Sequence, residues 1–146
     1  MSYDLMVFRP EAAPKNETEF LKWFEQQAEW SEDHSYDDPA VTSEELRNWF
    51  MEMKESFPAL NGPFATDDDD LEKYGDYCIG RDVIYTGFGW STAEEAYETV
   101  TRLAQKYKVG FYDASGSGDI LIPNSQGKLE SIKSSVKTVK PWWKIW

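Results

Sequence analysis

Apolar and polar positions along the chain switch between two periods, and the switches mark the elements. Residues 3–8 (YDLMVF) read as a strand, with Tyr3, Leu5 and Val7 to one side and Asp4, Met6 and Phe8 to the other. Pro10 and Pro14 end it. Asn16 with Glu19 three positions on fits a helix N-cap, and the period then becomes helical over about 17–30. Its stripe is Phe20, Leu21, Phe24 and Ala28, with Trp23 and Trp30 on the flank. A polar connection, SEDHSYDDP, follows. Thr42 with Glu45 opens a second helix carrying Leu46, Trp49, Phe50, Met53 and Phe57, and Pro58 closes it. A loop with Asn61-Gly62-Pro63 and the run Asp67–Asp70 extends to Lys73.

Residues 76–79 and 83–90 read as two strands of a hairpin around Gly80-Arg81-Asp82. Gly87 and Gly89 mark a bulge or a close approach in the second. Ser91 with Glu94 opens a third helix, whose apolar face runs Ala93, Ala96, Tyr97, Val100, Leu103, Ala104 and Tyr107. Residues 109–113 and 119–122 are two further strands around an SGSG turn. The order β-α-α-β-β-α-β-β predicts one α+β domain with a mostly antiparallel sheet. One stripe per helix predicts that all three helices lie on one face. The embedded β-α-β-β-α-β string predicts a ferredoxin-like core, with residues 3–8 beside 83–90 or 109–113.

Charge divides the 146-residue chain. Residues 1–123 hold 26 Asp/Glu against 10 Lys/Arg, a net of −16, whereas residues 124–146 hold five Lys against Glu130 alone. The acidic domain is therefore assigned to 1–123, and 124–146 is a basic, Lys- and Trp-rich extension. Leu129, Ile132, Val136 and Val139 have helical spacing, but the intervening Ser and Thr are weak helix formers, and 136–139 reads equally as a strand. Trp142, Trp143 and Trp146 are costly to leave in water, which predicts that the extension packs on the domain. The alternative is a tail kept for a membrane surface or a partner. The acid excess excludes nucleic-acid binding through the body and favours a basic protein partner. A single cysteine, Cys78, excludes an intrachain disulfide. No basic n-region precedes an apolar run, and no run approaches a membrane span, so the expectation is a cytoplasmic protein.

The strings SYDLMVF, WSEDHSYDDP, FPALNGP, VIYTGFGWS and GFYDAS occur together across residues 2–123. In combination they resemble a group of small acidic bacterial cytoplasmic proteins with no assigned activity. The resemblance implies a bacterial cytoplasmic protein and carries no catalytic residue.

Candidate chemistry is sparse. His34, the single histidine, sits among Glu32, Asp33, Asp37 and Asp38. That cluster suits a raised imidazole pKa or a divalent metal, but its spacing matches no metal motif, and the preferred reading is a solvated loop whose acids turn and cap the backbone. On that reading His34 is dispensable for folding. Cys78 with His34 would make a nucleophilic dyad, although a thiol in a strand between Tyr77 and Ile79 usually acts as a small hydrophobe. Asp67–Asp70 fails the EF-hand pattern, with Glu72 where glycine is required. Gly87-Phe88-Gly89 lacks the third glycine of a dinucleotide fingerprint, and Gly116/Gly118 lack a following Gly-Lys-Ser/Thr. Aromatics with carboxylates are also the materials of a sugar site, but sequence selects no pair among 27 acids.

Two functions remain. The first is a non-catalytic binding module whose acidic surface engages a basic protein, in the manner of immunity and inhibitor proteins. Its expected contacts are Glu29, Trp30, Glu32, Asp33, Tyr36, Asp37 and Asp38 after the first helix, with Asp67, Asp68, Asp69 and Asp70 in the acidic loop. The second is a small enzyme or ligand-binding protein with a carboxylate- and aromatic-lined pocket. No catalytic residue, cofactor or metal ligand is assigned in either case.

Overall fold

The computed structural model describes residues 2–67 and 72–132. It is one α+β domain built on a six-stranded sheet in the order β2-β3-β1-β4-β5-β6, every neighbouring pair antiparallel. The strands are β1 (Tyr3–Phe8), β2 (Asp76–Ile79), β3 (Val83–Phe88), β4 (Gly110–Tyr112), β5 (Ile120–Pro123) and β6 (Leu129–Ser131). The helices are α1 (Glu17–Gln27), α2 (Glu44–Ser56) and α3 (Ala93–Tyr107). β1 lies between β3 and β4, next to both of the strands expected beside it. The β3 register runs unbroken through Gly87, so no bulge forms there.

β1 explains the layering. Tyr3, Leu5 and Val7 enter a core with Trp49, Phe50 and Met53 of α2 and Ala96, Val100 and Leu103 of α3. Met6 and Phe8 point the other way and meet Phe20 of α1, with Trp23 and Phe24 packed alongside. Helices therefore cover both faces, and the expected one-face arrangement is overturned. Five of the six β1 side chains are apolar, and a strand that is apolar on both sides needs cover on both. The ferredoxin-like reading is not confirmed: β2-β3-β1-β4 with α2 and α3 forms two layers, but α1 adds a third.

The helix ends show how local chemistry places these elements. Asn16 caps α1 as expected, its side chain accepting the Glu19 N–H at 2.9 Å. Ser43, one residue past the expected Thr42, caps α2. Thr42 is buried and donates its hydroxyl to the Arg81 carbonyl instead. The Ser91–Glu94 box does not form; a short 3-10 turn, Trp90–Thr92, leads into α3 without a side-chain cap. On α1 the stripe that packs on the sheet is Phe20, which is buried, with Trp23 and Phe24, which are half-buried, at i, i+3 and i+4, whereas Leu21 is 38% exposed and Ala28 is exposed.

The SGSG turn is organised by an acid that sequence inspection did not single out. Asp113 is fully buried and accepts the Gly116 N–H and both the N–H and hydroxyl of Ser117, each at 3.1 Å. Beyond the turn the chain returns as β5. The described part of the C-terminal extension continues the sheet: Leu129–Ser131 pairs with β5, and Ile132 packs on the α1 side. The rest of the extension, including its expected packing on the domain, lies outside the described residues.

Truncating Phe20 to Ala should cost about 3–5 kcal/mol in urea denaturation, because it empties the centre of the α1-side core. Leu21→Ala on the same helix should stay within about 0.5 kcal/mol. Equal effects at the two positions would contradict the packing of α1 described here.

Candidate functional site

The two faces of the sheet are covered unequally. A helix the length of α1 spans ~16 Å and is ~10 Å wide, while six strands extend over ~24 Å. One helix leaves part of its face bare in any orientation. The bare part lies over β1, β3 and β2, beside the C-terminal end of α1, and forms an open cleft of about 540 Å³.

Strand register sets the floor. Asp4 of β1 and Asp76 of β2 both pair with Gly87 of β3, so two carboxylates flank a residue with no side chain. The next row is Met6, Tyr85 and Cys78. The Tyr85 hydroxyl donates to one oxygen of Asp4 at 2.7 Å, and the Ser2 hydroxyl donates to the other. Burial first, and then the bond to Asp4, push the Tyr85 phenol up, so it stays a neutral donor.

The walls are aromatic. Phe24 of α1 stacks on Tyr85 with centroids 6.1 Å apart. Trp30 meets Tyr36 edge-on at 5.2 Å and Tyr85 at 6.3 Å. Trp30 has φ +50°, a left-handed conformation that an L-residue with a bulky side chain adopts at a cost of ~1–2 kcal/mol. It turns the chain sharply after α1, and contacts with Tyr36 and Tyr85 hold the indole against the sheet.

The rim comes from two loops. Tyr36 accepts the Ile79 N–H on its carbonyl at 2.8 Å, which attaches the connection after α1 to the free edge of β2. Arg47 of α2 secures the same segment by donating to the carbonyls of Pro39 and Thr42. Asp37 and Asn61 both line the cleft. Gly62 has φ +86°, and a Cβ there would clash with the Asp37 carbonyl oxygen. Only glycine allows the two loops to meet.

Of the expected contact residues, Trp30, Tyr36 and Asp37 line the cleft. Glu29, Asp33 and Asp67 are exposed outside it. Glu32 and Asp38 serve the loop itself. The Glu32 carboxylate accepts from His34 Nε2 and from the Arg81 N–H, and Asp38 accepts the Ala40 N–H at 2.9 Å. Asp68, Asp69 and Asp70 lie outside the described residues. Asp4, Asp76, Tyr85 and Phe24 were not expected; their convergence depends on strand register, which becomes visible only once β1, β2 and β3 are aligned.

His34 departs from the solvated reading. Its side chain is only 12% exposed, its ring packs on Tyr36 at 4.7 Å, and Nδ1 lies 2.6 Å from the Ser35 carbonyl. The bond to Ser35, and then that to Glu32, raise its pKa. With both nitrogens engaged and His34 outside the cleft lining, the His34–Cys78 dyad is not assembled. Cys78 is half-buried in the floor, and burial, with Asp76 second, pushes its thiol up to about 11. A protonated thiol is a poor nucleophile at neutral pH. Among the described residues no three His, Cys, Asp or Glu side chains converge as a metal would require. No helix among them is long and apolar enough to cross a membrane.

The cleft can attract, but it has no assembled reactive pair. Asp4, Asp37 and Asp76 line a concave, aromatic-walled surface, and no Lys, Arg or His is among the described residues that line it. Such a surface suits a cation carried on an apolar stem. Comparison with known proteins finds no matching family model, no matching curated protein and no matching solved structure.

Two pH measurements check this description. The imidazolium of His34 is favoured in the fold, so its contribution is complete below the ordinary value of 6.5 and is lost as pH rises through the raised value. His34→Ala should therefore destabilise by at most about 1 kcal/mol near pH 5.5, and by less near pH 8.5, in denaturant titrations. Alkylation of Cys78 should be slow at neutral pH and accelerate until the pH reaches about 11.

Proposed function

We propose that this protein is a non-catalytic binding module that engages a basic protein through the acidic, aromatic-walled cleft. The observation that carries the reading is that Asp4, Asp37 and Asp76 line one opening together with Trp30, Tyr36 and Tyr85, with no basic residue among the described residues of that lining. An arginine or lysine of the partner enters with its stem against the rings and its charge on the carboxylates. The rings supply the anchor, worth ~0.5–1 kcal/mol per cation–π contact at an exposed site. The body, at −16 over residues 1–123, steers the encounter, so charge sets the association rate more than the final affinity. A cytoplasmic, bacterial setting fits this reading, as does exclusion of nucleic acid by the acid excess.

The alternative of a carboxylate- and aromatic-lined pocket for a small ligand uses the same residues. The openness of the cleft favours a protruding side chain of a macromolecule over an enclosed small molecule.

The test is calorimetric titration of the full chain with a hexa-arginine peptide and with a hexaglutamate control. Arginine binding should weaken about three- to tenfold on Asp4→Asn, Asp37→Asn or Trp30→Ala, as expected from ~1 kcal/mol per contact. It should weaken further as salt shortens the Debye length. Affinity indifferent to all three substitutions, or tight binding of duplex DNA, would overturn the reading.

A further inference from the structure

We propose that the cleft has an occupant within the chain itself: the basic segment 133–146, whose lysines and tryptophans dock over Asp4, Asp37 and Asp76 and must be displaced by any external partner. The inference rests on the cleft being a cation site, and it adds a competitor to that site.

Charge complementarity is the first support. Segment 133–146 holds Lys133, Lys137, Lys140 and Lys144 with no Asp or Glu, and it also holds Trp142, Trp143 and Trp146. Among the described residues the cleft lining has the opposite balance, three Asp and no basic residue, with Trp30, Tyr36 and Tyr85 as walls. Cationic stems and indoles are the side chains such walls accommodate.

The second support is where the described chain ends. Ile132 follows β6 and packs in the same cluster as Phe24, Trp30 and Tyr85, so the chain leaves the body on the α1 side of the sheet, where the cleft opens. In the order β2-β3-β1-β4-β5-β6, β6 is four strand spacings from β3. That is about 19 Å. Residues 133–141 extended reach ~30 Å, which leaves slack to pass the end of α1 and bring Trp142 and Lys144 to the opening.

Tethering makes the contact effective even if each pair is weak. A short linker holds the segment at an effective concentration of ~1 mM, so a millimolar intrinsic affinity already fills about half of the clefts. An external basic partner then binds with its affinity reduced by the fraction of open clefts. The segment acts as a built-in threshold against weak polycations.

Cys78 supplies the readout, because it is the single cysteine and it lines the cleft. Its alkylation rate is compared at one alkaline pH between the full chain and full-length variants carrying Lys137→Glu, Lys140→Glu and Lys144→Glu together, or Trp142→Ala and Trp143→Ala together. A segment docked for about half of the time slows labelling about twofold, so both variants should label about twofold faster. Zero-length carbodiimide coupling of a mixture of isotopically heavy and light full chains should join Lys137, Lys140 or Lys144 to Asp4, Asp37 or Asp76 within single copies. Unchanged labelling together with no such cross-links would overturn the proposal. Cross-links found only between heavy and light copies would overturn it in favour of a second copy. The hexa-arginine titration separates the two failures: binding that persists at Asp4 and Asp37 while the segment leaves no trace refutes the intrachain occupant and spares the cleft.

Discussion

The structure depends on one strand being apolar on both sides. β1 gives Tyr3, Leu5 and Val7 to the α2–α3 core and Met6 and Phe8 to the α1 core. Burying either set alone would leave the other in water, at ~1.5–3 kcal/mol for each large side chain. β1 therefore sits inside the sheet, between β3 and β4, and the chain must provide a helix for each face. The helices are unequally allotted. Two of them, 13 and 15 residues long, serve one face, while the 11 residues of α1 serve the other. The cleft is the remainder of that allotment, a stretch of sheet left uncovered.

What lines the remainder follows from strand alternation. A row that faces α1 near its middle is apolar, as with Phe8 and Val83, paired across β1 and β3. Two rows along, past the helix, the same face carries Asp4, Gly87 and Asp76, residues that tolerate water. The aromatic walls mark the border, with Phe24 and Tyr85 belonging to the core on one side and the opening on the other. Trp30 is held there at positive φ, a conformational cost that the packing of Tyr36 and Tyr85 offsets. Electrostatics and packing thus meet at one place because the core ends there.

Much of this was legible in the sequence, and the misses share a cause. The helical stripes of α2 and α3, the Asn16 cap, the hairpin read at 76–79 and 83–90, whose second strand ends at Phe88, and the α+β class are local patterns, and local patterns survive folding. The second face was written in Met6 and Phe8 but was outweighed by the one-stripe reading of the helices. On α1, Leu21 was assigned to the core because it adjoins Phe20, whereas the i, i+3, i+4 geometry selects Trp23. The acids after α1 were seen as one patch, yet Glu32 and Asp38 are consumed by His34, Arg81 and Ala40, and only Asp37 of that group faces the cleft. Asp4 and Asp76 lie 72 positions apart in sequence and meet only through the shared partner Gly87, which no periodicity encodes.

The contact between Gly62 and the Asp37 carbonyl has a consequence for how the opening can change. One part of its rim is fixed where main chain meets main chain, apart from the side chains of Asp37 and Asn61. Asp37 and Asn61 can be exchanged for residues of other charge or shape while that part of the rim keeps its place. Geometry and selectivity are thereby decoupled. The same mouth can be retuned from cations to other ligands by altering its lining, and a change at Gly62 alone would alter the mouth without touching the chemistry.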